Sequence, residues 1–305
     1  MPIWTPEVEV DDDLASTLIR DQFPQLQARE VRRLAMGWDN TVFTVDDAWV
    51  FRFPHRRVAV GNLERELGVL PRVEAMSELP LAIPRPEHVG RPGRGFPWLF
   101  VGYARLAGRE PAEVILDGTA RDALGAALGR FLRALHTAPV PADLASILDD
   151  DPMGRADMAT RVPMARERLA ELEELGRWPT PASVRDLLAR ALRLGRPAPT
   201  VLVHGDLHHR HLLVDDRGGA TAVIDWGDVC CADPSVDLPL YWSLLAPSGR
   251  AAFREAYGPI PAEGLVRARV LALGLAATLA VYAHREGMPA LERESLAGLE
   301  RAIVD

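Results

Sequence analysis

Four histidines and one aspartate share a short stretch of the chain, V-H-G-D-L-H-H-R-H-L-L at 203–213. Imidazoles at 204, 208, 209 and 211 around Asp206 admit two chemistries. One is a histidine-ligated metal centre of the hydrolase type. The other is a carboxylate that orients and deprotonates a nucleophile, with the histidines as its surroundings. The spacing argues against the first. His204 and His208 are four apart, but Gly205 and the preceding apolar run T-V-L-V disfavour a helix that would present both rings on one face. On this reading His204 packs and hydrogen-bonds to hold the loop, His208 and His209 lie on the loop surface or a pocket wall, and only His211 serves as a ligand.

A second aspartate completes the argument. Asp225 follows the apolar run T-A-V-I, and D-R-G-G at 216–219 supplies a turn before it. A hairpin over 211–226 then brings Asp225 back to the loop that carries Asp206. Two carboxylates meet at one spot, where one orients a hydroxyl and the other holds Mg²⁺, an ion that prefers carboxylate and phosphate oxygens. Asp, four intervening residues, a metal ligand and a downstream Asp is the spacing of a kinase catalytic loop. Here His211 stands for the usual Asn, and Asp225-Trp226-Gly227 for Asp-Phe-Gly. The short interval from Gly227 to P-S-V-D-L at 234–238 leaves no room for a long activation loop, so a protein kinase is disfavoured.

The elements that must position these residues follow from periodicity. Alternating apolar residues on either side of Asp46-Asp47 read as a β-hairpin over 40–54. Arg52 sits inside its second strand, W-V-F-R-F, which is otherwise apolar. Such a cation is either at a sheet edge with its head in water or held for phosphate binding, where kinases place a lysine paired to a glutamate on the following helix. That helix spans 62–76, with apolar residues at 63, 67, 70 and 73. Glu66 is the expected partner and Glu64 the rival. Gly37, in M-G-W-D-N-T-V-F, opens a loop that either covers nucleotide phosphates or is an ordinary turn. A Pro-rich connection at 79–97 and a strand ending at Gly108 come next, then helices near 119–138, 160–176 and 182–195. After the hairpin the chain reads as helical from about 235. The plan is bilobal α+β, with a hinge at 104–108 and a cleft of the sort where ligands bind.

Bulk composition sets limits. The 305 residues carry 35 basic and 43 acidic side chains, a net charge of −8 that speaks against a nucleic-acid-binding surface and either suits a cationic small-molecule partner or serves solubility alone. All the basic residues are arginines, so any task usually given to lysine falls to arginine. Cys230 and Cys231 are the only cysteines; neighbours in sequence, they cannot bridge distant parts of the fold, and a cytoplasmic setting is expected. The opening segment M-P-I-W-T-P-E-V-E-V lacks the layout of a secretory signal. The apolar run at 270–283 is short of a roughly 20-residue span and reads as a buried helix, so no membrane is expected as a partner.

In that order, G-W-D-N-T-V-F-T-V-D-D-A-W-V-F-R-F-P, L-E-R-E-L-G-V-L, H-G-D-L-H-H-R-H-L-L-V and V-I-D-W-G-D-V-C-C-A-D-P-S-V-D-L resemble the aminoglycoside phosphotransferase-like kinase family. His211 and Arg52 resemble its macrolide phosphotransferase branch. The resemblance implies a protein-kinase-like fold, with a β-rich nucleotide-binding lobe at 1–103, a hinge at 104–108, and a mainly helical lobe at 109–305 that carries the catalytic hairpin and the acceptor site. It implies Asp206 as catalytic base, His211 and Asp225 as Mg²⁺ ligands, and Arg52, steadied by Glu66, on the phosphates of ATP or GTP beside the Gly37 loop. Backbone groups of Ala104 and Leu106 would meet the purine, and Asp237 would tie a helix start to the catalytic loop. The γ-phosphate would pass to a hydroxyl of a macrolide or aminoglycoside. Asp228 and Asp233 would suit an amine-bearing acceptor, and His136 receives no chemistry. Two rivals share these residues: a metabolic kinase of a sugar or amino alcohol, and a pseudokinase that binds nucleotide without turnover.

Overall fold

Alternation of aromatic and β-branched residues with polar ones builds the first part of the chain into a sheet with one greasy face. The computed structural model describes residues 6–37, 39–76 and 78–305. In it β1 (Val31–Met36), β2 (Asn40–Val45), β3 (Trp49–Pro54), β4 (Pro86–Gly90) and β5 (Phe100–Ala104) form an antiparallel sheet in the order β1-β2-β3-β5-β4. Phe43, Phe51, Phe53 and Phe100 point to one face and pack with Leu18 and Ile19 of α1 (Asp12–Gln22). The hairpin turn is made by Asp46 and Asp47, both in the left-handed region at φ 49° and 55°, as the twist of a tight hairpin requires. Helix α2 (Arg57–Met76) follows, starting five residues before the sequence reading had it.

The described residues form two compact units: those up to Glu74 together with Ile83–Leu106, and Ala75–Ala82 together with Ala107–Asp305. The second unit is mainly helical: α3 (Gly118–Thr137), α4 (Ala142–Ala145), α5 (Met158–Glu174), α6 (Ala182–Ala191), α7 (Pro239–Ser243), α8 (Pro247–Tyr257), α9 (Ala262–Arg285) and α10 (Pro289–Ile303). Gly125 and Gly129 let α3 approach α8 closely, since a Cβ on Gly125 would lie 2.1 Å from the Gly249 carbonyl oxygen. Helix α9, long and apolar enough by length and composition to cross a membrane, is 67% buried over its most apolar window, the pattern of a core helix. Two short ladders complete the unit: β6 (Val201–Val203) with β9 (Cys230–Ala232), and β7 (Leu212–Val214) with β8 (Ala220–Val223).

Four of these elements escaped the sequence reading, the short α4 among them. Helix α1 lies ahead of its first assigned strand. Strand β4 falls inside the stretch read as a Pro-rich connection, and β9 directly follows D-W-G-D-V. The strand expected to run to Gly108 ends at Ala104.

Candidate active site

The hairpin register places the central residues. Leu212 pairs with Val223, and the Ile224 N–H donates to the His211 carbonyl at 2.9 Å, so Asp225 emerges beside His211. On the other side, Val203 pairs with Cys230, and the chain leaves that ladder through Gly205 at φ +90°. The intervening loop closes in a short turn over His209–His211, capped by His208 Nδ1, which accepts from the Arg210 N–H.

His211 links the two aspartates. Its Nδ1 lies 2.8 Å from the Asp206 carbonyl oxygen, and its Nε2 lies 3.5 Å from Asp225 Oδ2. A carbonyl only accepts, so Nδ1 carries the hydrogen there, and in the neutral ring Nε2 turns its lone pair toward a carboxylate. Two electron-rich groups facing each other fit a cation between them. Asp225 itself holds φ 65°, a left-handed conformation that strained functional positions tolerate.

Asp206, His208 and His211 bring one ligand atom each within 4.8 Å of one another. His208 Nε2 stands 3.6 Å from Asp206 Oδ2, longer than a hydrogen bond, and its ring lies tilted by 31° against that of His211 at 3.9 Å between centroids. The sequence reading left His208 on the loop surface or a pocket wall; the structure places it among the donor atoms. Burial and the nearby His211 push His208 down to about 4, so it is neutral at physiological pH. Burial alone would raise the Asp206 carboxyl, yet His208, Arg155 and His211 hold it well below the usual carboxylate range. It is therefore an ionised, weak base. Such a group orients a hydroxyl by accepting its hydrogen bond and takes the proton late, which suits a loose phosphoryl-transfer transition state.

A hub beneath the loop fixes it. Asp237, with no exposed surface, accepts from the His204 N–H at 2.7 Å and the Gly205 N–H at 2.9 Å. His136 Nε2 lies 3.1 Å from the same carboxylate and Nδ1 2.9 Å from the Tyr257 hydroxyl. His204 donates through Nε2 to the Ile224 carbonyl, 3.0 Å away, and accepts at Nδ1 from the Asp206 N–H at 3.2 Å.

The first unit holds the other charged pair. Arg52 occupies β3, which lies between β2 and β5, so it sits inside the sheet rather than at its edge. Its Nη1 donates to Glu66 Oε2 at 2.8 Å, with Glu66 1% exposed; Glu64 is on the exposed face of α2. The N–H of Gly37 donates to the Asn40 carbonyl at 2.9 Å, closing the turn between β1 and β2. A Cβ on Gly37 would make only an ordinary 3.6 Å contact, so the backbone does not demand glycine there. Trp38 of that loop lies outside the described residues. Ala104 ends β5 opposite Trp49, and Leu106 is the last residue of the first unit.

Sequence reasoning missed Arg155, which lies in the helical insert without a motif. Its Nη2 reaches Asp206 Oδ1 at 3.3 Å and Asp228 Oδ2 at 2.6 Å. The D-P-M-G turn before it marked a loop, but nothing local tells of partners about fifty and seventy residues away.

A catalytic loop held by an aspartate hub, a histidine between two aspartates and a buried Arg–Glu pair on a separate β-unit define a kinase-type phosphotransferase. A model of the phosphotransferase enzyme family matches residues 30–277, and the chain belongs to that family. The uncharacterized protein YcbJ of Bacillus subtilis (strain 168) is 38% identical over 61 residues, a match spanning 20% of this chain and 20% of that protein. Among solved structures, the GDP complex of wild-type aminoglycoside 2'-phosphotransferase-IIIa superposes with a TM-score of 0.68 at 22% identity, covering 96% of this chain and 98% of that one. The apoenzyme of a macrolide 2'-phosphotransferase from Brachybacterium faecium gives 0.59 at 22% identity, covering 95% and 98%. The likeness is one of fold: an α+β, protein-kinase-like architecture shared with these enzymes.

Proposed function

We propose that the chain moves the γ-phosphate of ATP or GTP to a hydroxyl of an antibiotic-like small molecule, an aminoglycoside or a macrolide. The observation that carries this reading is His211, set between the Asp206 carbonyl and the Asp225 carboxylate. Residues 1–103 would bind nucleotide, 104–108 would serve as the connection, and 109–305 would hold the catalytic loop and the acceptor. Asp206 orients the acceptor hydroxyl and receives its proton. Arg52, kept in place by Glu66, contacts the nucleotide phosphates, with Gly37, Ala104 and Leu106 contributing backbone to the same ligand. Asp225 and His211 would hold Mg²⁺, which would supply positive charge against the negative charge of the phosphates. What the protein supplies is mainly positioning and fixed charge. Two thiols without a disulfide, Cys230 and Cys231, support a cytoplasmic setting.

A mass-spectrometric screen tests the reading, with pooled macrolides, aminoglycosides, sugars and amino alcohols incubated with ATP or GTP and Mg²⁺. A phosphorylated product that Asp206→Asn abolishes, while nucleotide affinity persists, is the expected result. Full transfer by that variant would remove Asp206 from its role, and nucleotide binding with no turnover of any kind would mark a pseudokinase.

A further inference from the structure

The main chain of Asp206 is tied on both sides: its N–H donates to His204 Nδ1 at 3.2 Å, and its carbonyl accepts from His211 Nδ1 at 2.8 Å. The carboxylate is held differently. Oδ2 faces His208 Nε2 at 3.6 Å and His211 Nδ1 at 3.8 Å, both beyond hydrogen-bond reach, and the Nδ1 hydrogen is already given to the carbonyl. The nearest cation among the described residues is Arg155, whose Nη2 lies 3.3 Å from Oδ1. The same nitrogen donates to Asp228 Oδ2 at 2.6 Å, so one guanidinium joins two carboxylates. Asp206 still keeps 23% of its side chain exposed. Arg155 is itself aimed by its loop. Asp151, anchored by its N–H on the Cys231 carbonyl at 2.8 Å, accepts from the Arg155 N–H at 2.6 Å and the Ala156 N–H at 3.0 Å. From α5, Arg161 donates through Nε to the Gly154 carbonyl at 3.2 Å and through Nη2 to the Met153 carbonyl, which straps the same loop.

We propose that Arg155 is a positioning residue for the transfer step: its guanidinium, braced on Asp228, fixes the rotamer of Asp206 and so the aim of its carboxylate. The proposal rests on the reading of Asp206 as the catalytic carboxylate. An aspartate side chain without a partner samples several staggered rotamers, and only a carboxylate already aimed can orient a hydroxyl as the phosphate moves. Loss of the clamp therefore dilutes the competent arrangement and lowers turnover, while the surfaces that bind nucleotide and acceptor stay as they are. A planar guanidinium that stays charged suits this task better than an ammonium on a flexible stem, which restores the charge but not the geometry. Asp151 grips the backbone of residue 155 and Arg161 grips that of its neighbours, so removing the Arg155 side chain leaves the hydrogen bonds of the loop intact.

The test compares wild type, Arg155→Ala, Arg155→Lys and Asp206→Asn with Mg²⁺ and ATP or GTP. Kanamycin A, erythromycin and water serve as acceptors, the last read as nucleotide hydrolysis. Arg155→Ala should lose at least about tenfold in kcat, with KM for acceptor and nucleotide held within about twofold. Arg155→Lys should fall between it and the wild type. Guanidinium chloride at about 50 mM, against sodium chloride at equal ionic strength, should raise kcat of Arg155→Ala by about fivefold and leave the wild type unchanged. An unchanged or raised kcat in Arg155→Ala overturns the role of Arg155. So does a fall that guanidinium fails to reverse, or a rise in KM together with a lower urea midpoint, which would mark a loop that has come apart. Turnover retained by Asp206→Asn, or none by the wild type, overturns the phosphotransfer reading instead.

Discussion

A Cβ on Gly205 would lie 2.1 Å from the carbonyl oxygen of Asp228, and Gly205 holds φ +90°. The loop of Asp206 and the segment after Asp225 thus touch backbone to backbone, with space for a hydrogen only. Gly205→Ala should cost at least about 2–3 kcal/mol, from left-handed strain and a contact that must shift backbone. Because Asp206 moves with it, kcat should fall by about a hundredfold. Urea midpoints and steady-state kinetics read the two effects, and an unchanged kcat would show that this approach does not set the site.

Arg52 and Glu66 offer a separable test of stability and binding. Arg52→Met leaves a buried carboxylate without its main cation and should destabilise the protein by about 3–5 kcal/mol. Pairing it with Glu66→Leu should recover most of that loss while nucleotide affinity stays weak. Calorimetric titration of Mg²⁺-ATP decides: recovery of affinity along with stability would confine the pair to packing.

The hub predicts an acid limit. Burial lowers His204 below its ordinary 6.5, and its Nδ1 accepts from the Asp206 N–H, a role only the neutral ring can fill. Burial holds His209 well below the same value. Below about pH 6.5 the unfolded chain binds protons that these rings refuse, so stability is complete above that pH and is lost as pH falls toward their folded values. Urea midpoints should drop between pH 7.5 and 5.5, and His209→Gln should flatten the slope. Equal slopes in the two proteins would assign the acid sensitivity elsewhere.

Cys230 should be inert. Burial and the nearby Asp237 push its thiol up to about 12, and burial also raises Cys231. Since the thiolate is the reactive species, iodoacetamide at pH 8 should label the native protein at least tenfold more slowly than the urea-unfolded chain. Comparable rates would mean that β9 opens readily.

Most of the candidate site could be read locally. His211 and Asp225 lie at the two ends of one hairpin, whose turn and strands declare themselves in composition, Asp206 lies in the loop leading into it, and Arg52 stood out as a charge among apolar strand residues. Arg155 and Asp228 could not be read this way, because their relation is a loop-to-loop contact across the fold with no periodicity behind it. His208 was left on the loop surface or a pocket wall because sequence spacing does not reveal that its ring lies against that of His211. Strand β4 was hidden by prolines: Pro86 begins it, and the segment resembles a linker until its partner β5 is known.

The phosphate contact proposed for Arg52 bears on how this enzyme would be seen in a proteome. Electrophilic nucleotide reagents that acylate a phosphate-binding lysine find no ε-amine here, since the sequence contains no lysine at all. A guanidinium that stays protonated offers such reagents no nucleophile. Surveys that count kinases by amine labelling would pass over this one, and arginine-directed dicarbonyls are the chemistry that would reach it.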